Sequence, residues 1–69
     1  MRVLGGQEVV RGDTVKQITT RGLAVYPKPL RVQSIVEGQG LVLGEELDGP
    51  PVSNGGQAQV FPPGQLMKL

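Results

Sequence analysis

Residues 55–69 read GGQAQVFPPGQLMKL, and the double proline within them gives the most direct indication of the architecture. A strand that begins in QAQVF must end at Phe61, because Pro62 and Pro63 have no backbone N–H to donate to a sheet ladder. The fixed φ of proline favours a tight 3₁₀-type turn over PPGQ. The following LMKL can then form a short closing strand. The stretch therefore predicts a strand, a 3₁₀ turn and a final strand.

Glycine and proline punctuate the rest of the chain. Eleven glycines and six prolines stand among 69 residues, a frequency that α-helices do not tolerate. The longest stretch free of both, DTVKQITTR, is rich in β-branched residues, which favour strands. We therefore expect short strands separated by turns. The predicted turns lie at Gly12-Asp13, near Arg21-Gly22, at Gly38–Gly40 as a tight hairpin, and at Asn54–Gly56.

The stretch PLRVQSIVE has the clearest strand pattern in the chain. Its residues alternate between two predicted faces of a sheet. The pattern places Leu30, Val32 and Val36 on one face, with Arg31, Gln33 and Ile35 on the other.

Two stretches carry a resemblance to a known fold. RGDTVKQI resembles the Gly-Asp-x-Val opening strand of many SH3-like domains, including the small YodC-type domains, and AQVFPPGQLMKL is similar to their closing segment. The resemblance implies an all-β fold, a small SH3-like partly open barrel of about five short strands with a 3₁₀ turn before the last strand. Residues 1–69 are read as a single domain, in which residues 1–8 are a candidate flexible N-terminal arm and residues 48–56 a long loop.

The composition argues against several classes of site. With no cysteine and no histidine, the chain lacks the usual ligands of structural zinc, the commonest general base and the best nucleophile. We interpret the acidic group at Glu45, Glu46 and Asp48 as a solvated strand end. We therefore predict no catalytic residues, no cofactor and no metal. The absence of a signal-peptide core and of an apolar run approaching about 18 residues favours a cytoplasmic protein without a membrane span.

By elimination, the sequence favours a non-catalytic protein-interaction or adaptor module, such as a subunit of a larger complex. A chain this short buries only about 60% of its unfolded surface, so self-association into a homo-oligomer is a further expectation. Six of the seven basic residues lie within residues 1–31, and they would steer a partner with an acidic surface. The candidate contact residues are Leu23, Val25, Tyr26, Phe61, Arg11, Lys16, Arg21, Lys28 and Arg31.

Nucleic-acid binding is an alternative from a different class. The five basic residues among those candidates could form one basic face, with Tyr26 as a stacking platform for a base. SH3-like domains of the KOW type bind RNA or RNA polymerase. A single aromatic residue in a chain of net charge +1 is a weaker signal than such domains usually show.

A second alternative is enzymatic. Ala58-Gln59-Val60-Phe61-Pro62 is similar to the pore-lining Val-Gln-Ile-Tyr-Pro segment of type II (plasmid-encoded) dihydrofolate reductases, which are SH3-like tetramers. The similarity implies that Gln59 and Val60 contact pterin and nicotinamide, with Phe61 in the place of tyrosine. Gln17 stands where that family has its substrate-binding lysine, and both departures weaken the comparison.

Overall fold

A computed structural model describes residues 1–19 and 25–69. Within this part of the chain there is no α-helix, and the regular structure consists of short strands and two 3₁₀ turns, Leu4–Gly6 and Pro63–Gln65. The seven strands are β1 Thr14–Gln17, β2 Leu30–Val36, β3 Gly40–Gly44, β4 Ser53–Asn54, β5 Gln57–Ala58, β6 Val60–Phe61 and β7 Leu66–Lys68.

Five of the strands form one antiparallel sheet in the order β6-β3-β2-β1-β7. Strands β4 and β5 form a separate two-stranded hairpin. Strands β6 and β7 stand at the two ends of the sheet order, so the barrel is not closed. The 3₁₀ turn Pro63–Gln65 joins these edges directly before the last strand. The predicted fold class, an all-β partly open barrel with this turn, is confirmed.

The Gly38–Gly40 hairpin is also as predicted. It connects β2 to β3, and Val36 faces Gly40 across it. Gly38 has a φ of 78°, a left-handed conformation that glycine adopts without a steric penalty. The turn at Arg11-Gly12 is closed by a hydrogen bond of 3.1 Å from the Asp13 N–H to the Val10 carbonyl oxygen. The turn predicted near Arg21-Gly22 lies outside the described residues.

A β-bulge at Gln33 changes the predicted faces of β2. Val32 faces Leu43 and Ser34 faces Val42, so Gln33 is the extra residue between them. Beyond the bulge the alternation shifts by one residue. Ile35, which faces the buried Leu41, packs against the core, whereas the sequence pattern assigned that face to Val36. The prediction was wrong at this point because a periodicity of two cannot anticipate an inserted residue.

The segment QAQVF also differs from the single strand that we expected. Gln57 and Ala58 pair with β4 around the Asn54–Gly56 turn, whereas Val60 and Phe61 pair with β3. Residues 48–56, predicted as a long loop, thus contain one strand of a hairpin. Between the two strand pairs, the Gln59 N–H donates to the Val52 carbonyl oxygen at 2.8 Å.

Residues 1–8, the candidate flexible arm, fold back on the barrel. Arg2 and Glu8 form an antiparallel bridge, and the ammonium group of Met1 forms an ion pair with Glu8. The Val9 N–H donates to the Met1 carbonyl oxygen at 2.9 Å, and the Val3 side chain is buried. The segment therefore adds apolar surface to a small core.

The core is almost entirely aliphatic. Its buried members are Val3, Val9, Val15, Leu30, Val32, Leu41, Leu43, Phe61 and Leu66. Phe61 is the one aromatic side chain among them, and burying a side chain of this kind stabilises a fold by roughly 1.5–3 kcal/mol. None of the helical turns in residues 1–19 and 25–69 is long and apolar enough to cross a membrane.

Candidate functional site: a groove beside Tyr26

A groove of about 290 Å³ opens at one end of the five-stranded sheet, lined by Tyr26, Glu45, Glu46, Pro50, Pro51 and Val52. Its walls come from two segments that are distant in sequence. Tyr26 precedes β2, and the other lining residues follow β3. Because β2 and β3 are antiparallel, with Arg31 facing Gly44, the start of one strand meets the end of the other. The sheet register therefore builds the groove.

Hydrogen bonds hold both the backbone and the side chain of Tyr26. Its backbone N–H donates to Oε1 of Gln17 at 2.8 Å, and its phenol O–H donates to Oε2 of Glu45 at 3.0 Å. Gln17 is buried, and its Nε2 donates to Oε1 of Gln65 at 3.2 Å. These bonds fix Tyr26 against β1 on one side and against the end of β3 on the other.

Glu45 connects Tyr26 to a basic neighbour. Lys28 Nζ lies 3.3 Å from Oε1 of Glu45. The hydrogen bond from Tyr26 and, next, the interaction with Lys28 lower the pKa of Glu45 below its ordinary value. The same hydrogen bond raises the pKa of the Tyr26 phenol. At neutral pH the cluster therefore comprises a neutral phenol and an ionised carboxylate, with Lys28 beside the carboxylate.

Gln33, the bulged residue, holds the segment that follows Glu45. Its Nε2 donates to the carbonyl oxygens of Glu46 at 2.8 Å and of Gly49 at 3.0 Å. The amide lies directly over Gly44, where a Cβ atom would collide with it. A side chain at position 44 would thus displace the amide that shapes the groove wall.

The floor of the groove is fixed to β3 by the backbone. Pro51 forms an isolated bridge with Gly44, and the Val52 N–H donates to the Leu43 carbonyl oxygen at 2.8 Å. The Val52 side chain packs partly against the core. Two prolines and a valine thus present a rigid apolar floor, since proline has a fixed φ.

Glu46 gives the groove a negative charge that no described ion pair compensates. Within the described part of the chain, no basic side chain forms an ion pair with Glu46, in contrast to Glu45. Its backbone carbonyl is held by Gln33, whereas its carboxylate stands exposed at the groove. The site therefore combines an apolar floor with an anionic wall.

The predicted contact residues separate in the fold. Tyr26 lines the groove, and Lys28 lies beside it through Glu45. Val25 is 38% exposed next to Tyr26. Phe61, in contrast, is only 1% exposed and lies in the core, so it is not available to a partner in this fold. The predicted contacts Arg21 and Leu23 lie outside the described residues.

The predicted basic face is partly neutralised within the chain. Arg11 forms an ion pair with Asp48 at 3.0 Å, as Lys28 does with Glu45. Lys16 and Arg31 instead contact the backbone carbonyl oxygens of Pro27 and Gly12, at 3.4 and 3.2 Å. Sequence alone could not show this division, because the acidic partners lie 17 to 37 residues away along the chain.

Three residues from the reductase comparison, Gln17, Val60 and Phe61, lie in strands of the sheet. Val60 and Phe61 pair with β3, and the Phe61 side chain points into the core. Gln17, which stands in place of that family's lysine, is buried and holds the backbone of Tyr26. A substrate could reach Phe61 only if the core were rearranged.

Sequence reasoning missed most of the groove. We interpreted Glu45, Glu46 and Asp48 as a solvated strand end, and all three are exposed after the end of β3, but we assigned them no binding role. Gln17 entered only the reductase comparison, and Pro50–Val52 only the predicted loop 48–56. The two consecutive prolines before a valine were the available signal for a rigid apolar surface. In residues 1–19 and 25–69, no three acidic side chains converge as a metal site.

Comparisons with known proteins give no relative for this chain. No protein-family model matches it, and no curated protein and no solved structure is significantly similar to it.

Proposed function

We propose that the chain is a non-catalytic protein-interaction module, an adaptor that holds an extended segment of a partner protein in the groove beside Tyr26. The observation that supports it most is the combination of an apolar floor, Pro50–Val52, with the carboxylate of Glu46, which has no ion-pair partner among the described residues. Both features face the same concave surface. Concave apolar sites with a few convergent polar groups are the usual form of binding sites.

The groove favours a partner segment that carries a basic residue. An apolar side chain of that segment would pack on the floor and on the Tyr26 ring, while a lysine or arginine would contact Glu46. In an extended peptide, residues two apart point to the same side and lie about 6.6 Å apart. The proposed motif is therefore an aliphatic residue or proline with a basic residue two positions away. This differs from the acidic partner that the overall charge pattern predicted.

Preorganisation supports binding at this site. The bonds from Gln17 to Tyr26 and from Gln33 to the Glu46–Gly49 segment exist before a partner arrives. A partner would therefore bind without the cost of ordering these groups, which increases affinity.

The test uses fluorescein-labelled peptides of about eight residues, long enough in extended form to pass through a groove of this size. One set pairs a central leucine or proline with lysine two positions away, and the matched set has glutamate in place of that lysine. Binding is measured by fluorescence polarisation against the wild type, Glu46→Gln, Tyr26→Ala and Glu37→Gln. Glu37 is an exposed acidic residue in the β2–β3 turn and provides the control.

We expect the lysine peptides to bind the wild type and the Glu37→Gln variant equally. Glu46→Gln should weaken them about tenfold, which corresponds to roughly 1.4 kcal/mol for a lost charge-assisted contact. Equal binding of the glutamate set, or binding unchanged in both Glu46→Gln and Tyr26→Ala, would reject the groove as the site.

The two alternatives from sequence remain hypotheses with distinct tests. A nucleic-acid binder should lose affinity steeply as the salt concentration rises. A reductase should oxidise NADPH in the presence of dihydrofolate and lose that activity on Gln59→Ala. Arg11 and Lys28 form ion pairs within the chain, which does not favour nucleic-acid binding. Phe61 is buried, which does not favour the reductase.

A further inference from the structure

The outer face of β1 and β7 carries exposed apolar side chains in an arrangement that the groove does not use. The hydrogen bonding between β1 and β7 continues beyond the strand ends. The Ile18 N–H donates to the Gln65 carbonyl oxygen, and the Leu69 N–H donates to the Thr14 carbonyl oxygen. Lys16 faces Met67 within the ladder. Since Val15 and Gln17 are buried, the residues alternating with them point outward.

Three large apolar residues therefore lie along this face. Ile18 is 41% exposed, Met67 43% and Leu69 63%. They span four residue steps along the ladder, or about 13 Å. Single exposed apolar residues are common, but a row of them on one sheet face indicates an interaction surface.

The charged side chains that the structure describes on this face are both basic. Lys16 lies within the row, and Arg31 extends from the neighbouring β2, opposite Thr14. Among the described residues, the basic side chains Arg2, Arg11, Lys28 and Lys68 each have a carboxylate within ion-pair distance, whereas Lys16 and Arg31 contact only backbone carbonyl oxygens. The outer face thus carries two positive charges that the described carboxylates do not compensate.

We propose that this face binds an acidic amphipathic helix of a second protein partner. Apolar residues at i and i+4 on a helix lie about 6 Å apart along its axis, close to the roughly 6.6 Å between alternate residues on a strand. A helix of two to three turns, about 11–16 Å, would cover the row from Ile18 to Leu69. Acidic residues along one flank of the helix would contact Lys16 and Arg31.

The surface is distinct from the groove, so the inference does not depend on the proposed function above. None of Lys16, Ile18, Met67 and Leu69 lines that groove. Occupation of both surfaces would make the chain a bridge between two partners.

The probe is a labelled synthetic helical peptide of about 14 residues, some four turns, with leucines at i, i+4 and i+7 and glutamates along one flank. A second probe has the same leucines with lysines in place of the glutamates. Titration of isotope-labelled protein followed by NMR identifies the contacted residues. Fluorescence polarisation gives affinities for the wild type, Lys16→Glu, Arg31→Glu and the control Gln39→Glu, which adds a negative charge in the exposed β2–β3 turn at the far end of β2 from Arg31.

We expect the acidic probe to shift the amide signals of Lys16, Ile18, Met67 and Leu69 and to bind at least tenfold more tightly than the basic probe. Lys16→Glu and Arg31→Glu should each weaken binding about tenfold, while Gln39→Glu should leave it unchanged. Circular dichroism confirms that each variant is folded. Two further variants, Met67→Ser and Leu69→Ser, should weaken binding of the acidic probe without changing the charge of the protein.

Three outcomes would overturn the inference. The first is equal affinity for the two probes, or no binding of the acidic probe below about 1 mM. The second is a concentration-dependent homo-oligomer in analytical ultracentrifugation that Met67→Ser dissociates, since a second copy would then cover this face. The third is competition for the same amide signals by an unstructured RNA oligonucleotide that binds more tightly than the peptide.

Discussion

The side-chain oxygen of Gln17 accepts a hydrogen bond of 2.8 Å from the backbone N–H of Tyr26, nine residues further along the chain. Gln17 is only 5% exposed and also donates to Gln65. One buried amide therefore links the first strand, the residue that forms the groove and the 3₁₀ turn before the last strand. Strand β1 thus contributes to the groove although none of its residues lines it.

Gln17→Leu should destabilise the protein. Leucine has a similar volume but leaves the Tyr26 N–H and the Gln65 amide oxygen without their partner, and an unpaired buried polar group costs about 1–3 kcal/mol. Chemical denaturation measures the change in the free energy of unfolding. Gln39→Leu, in the exposed β2–β3 turn, is the control and should change stability by less than about 0.5 kcal/mol. Equal effects of the two substitutions would contradict a positioning role for Gln17.

Gln33→Ala should loosen the Glu46–Gly49 segment beside the groove without loosening the rest of the sheet. It removes two hydrogen bonds to the Glu46–Gly49 segment, each worth roughly 0.5–1.5 kcal/mol, from a partly exposed position. Amide hydrogen exchange should become faster in residues 45–52 and remain unchanged in β7. Faster exchange across the whole sheet would show that Gln33 stabilises the barrel in general and does not act on this segment alone.

Gly40→Ala should be among the most destabilising single substitutions. A Cβ at position 40 would collide with the carbonyl oxygen of Phe61 on the paired strand, and backbone cannot move aside as a flexible side chain can. Overpacking of this kind typically costs 1–3 kcal/mol, and about 3 kcal/mol is expected here because the obstacle is backbone.

Gly64→Ala is the matched control for Gly40→Ala. Gly64 lies in the 3₁₀ turn, and a Cβ there would have no heavy atom within 4 Å. The substitution should be neutral or stabilise by up to about 1 kcal/mol, through the lower conformational entropy of the unfolded chain. A comparable loss of thermal stability in both alanine variants would refute the close contact between β3 and β6.

Tyr26→Phe should raise the pKa of Glu45 toward its ordinary value of 4.5. Lys28 remains in the variant, so the pKa should stay below that value. An NMR titration of the Glu45 side-chain carboxyl carbon measures this directly. Lys28→Gln should also raise it, since a hydrogen bond from Lys28 and the charge of its side chain both contribute to the lowered pKa. An unchanged pKa in Tyr26→Phe would show that the hydrogen bond is not formed in solution.

The same pair sets the direction of the pH dependence. The pKa of Glu45 is lowered in the folded state, so its small stabilising effect is present above pH 4.5 and is lost as the pH falls through the folded-state pKa. The pKa of Tyr26 is raised, so its effect is present below pH 10.0 and is lost as the pH rises through the folded-state value. Glu45 is exposed and Tyr26 is half-buried, and the tyrosine and carboxyl signals should report the change more clearly than overall stability does.

The predictions from sequence succeeded where local chemistry alone decides the conformation. Pro62 and Pro63 end β6 at Phe61 and lead into the 3₁₀ turn because they cannot join a ladder. Gly38 forms the β2–β3 turn because its φ of 78° carries no steric penalty in glycine. The predictions failed where the partner of a residue matters, as at Ile35, whose face is set by the bulge against β3.

The sequence by itself therefore determined an all-β chain of short strands with a 3₁₀ turn before the last one, because glycine, proline and β-branched residues restrict the backbone locally. Only the tertiary structure decided which side chains form a site. It buried Phe61, paired Arg11 and Lys28 with carboxylates, and brought Tyr26 to Glu46 and Pro50–Val52. The physical reason is that burial, ion pairing and groove shape depend on strand register, which joins residues far apart in the chain and has no local signature.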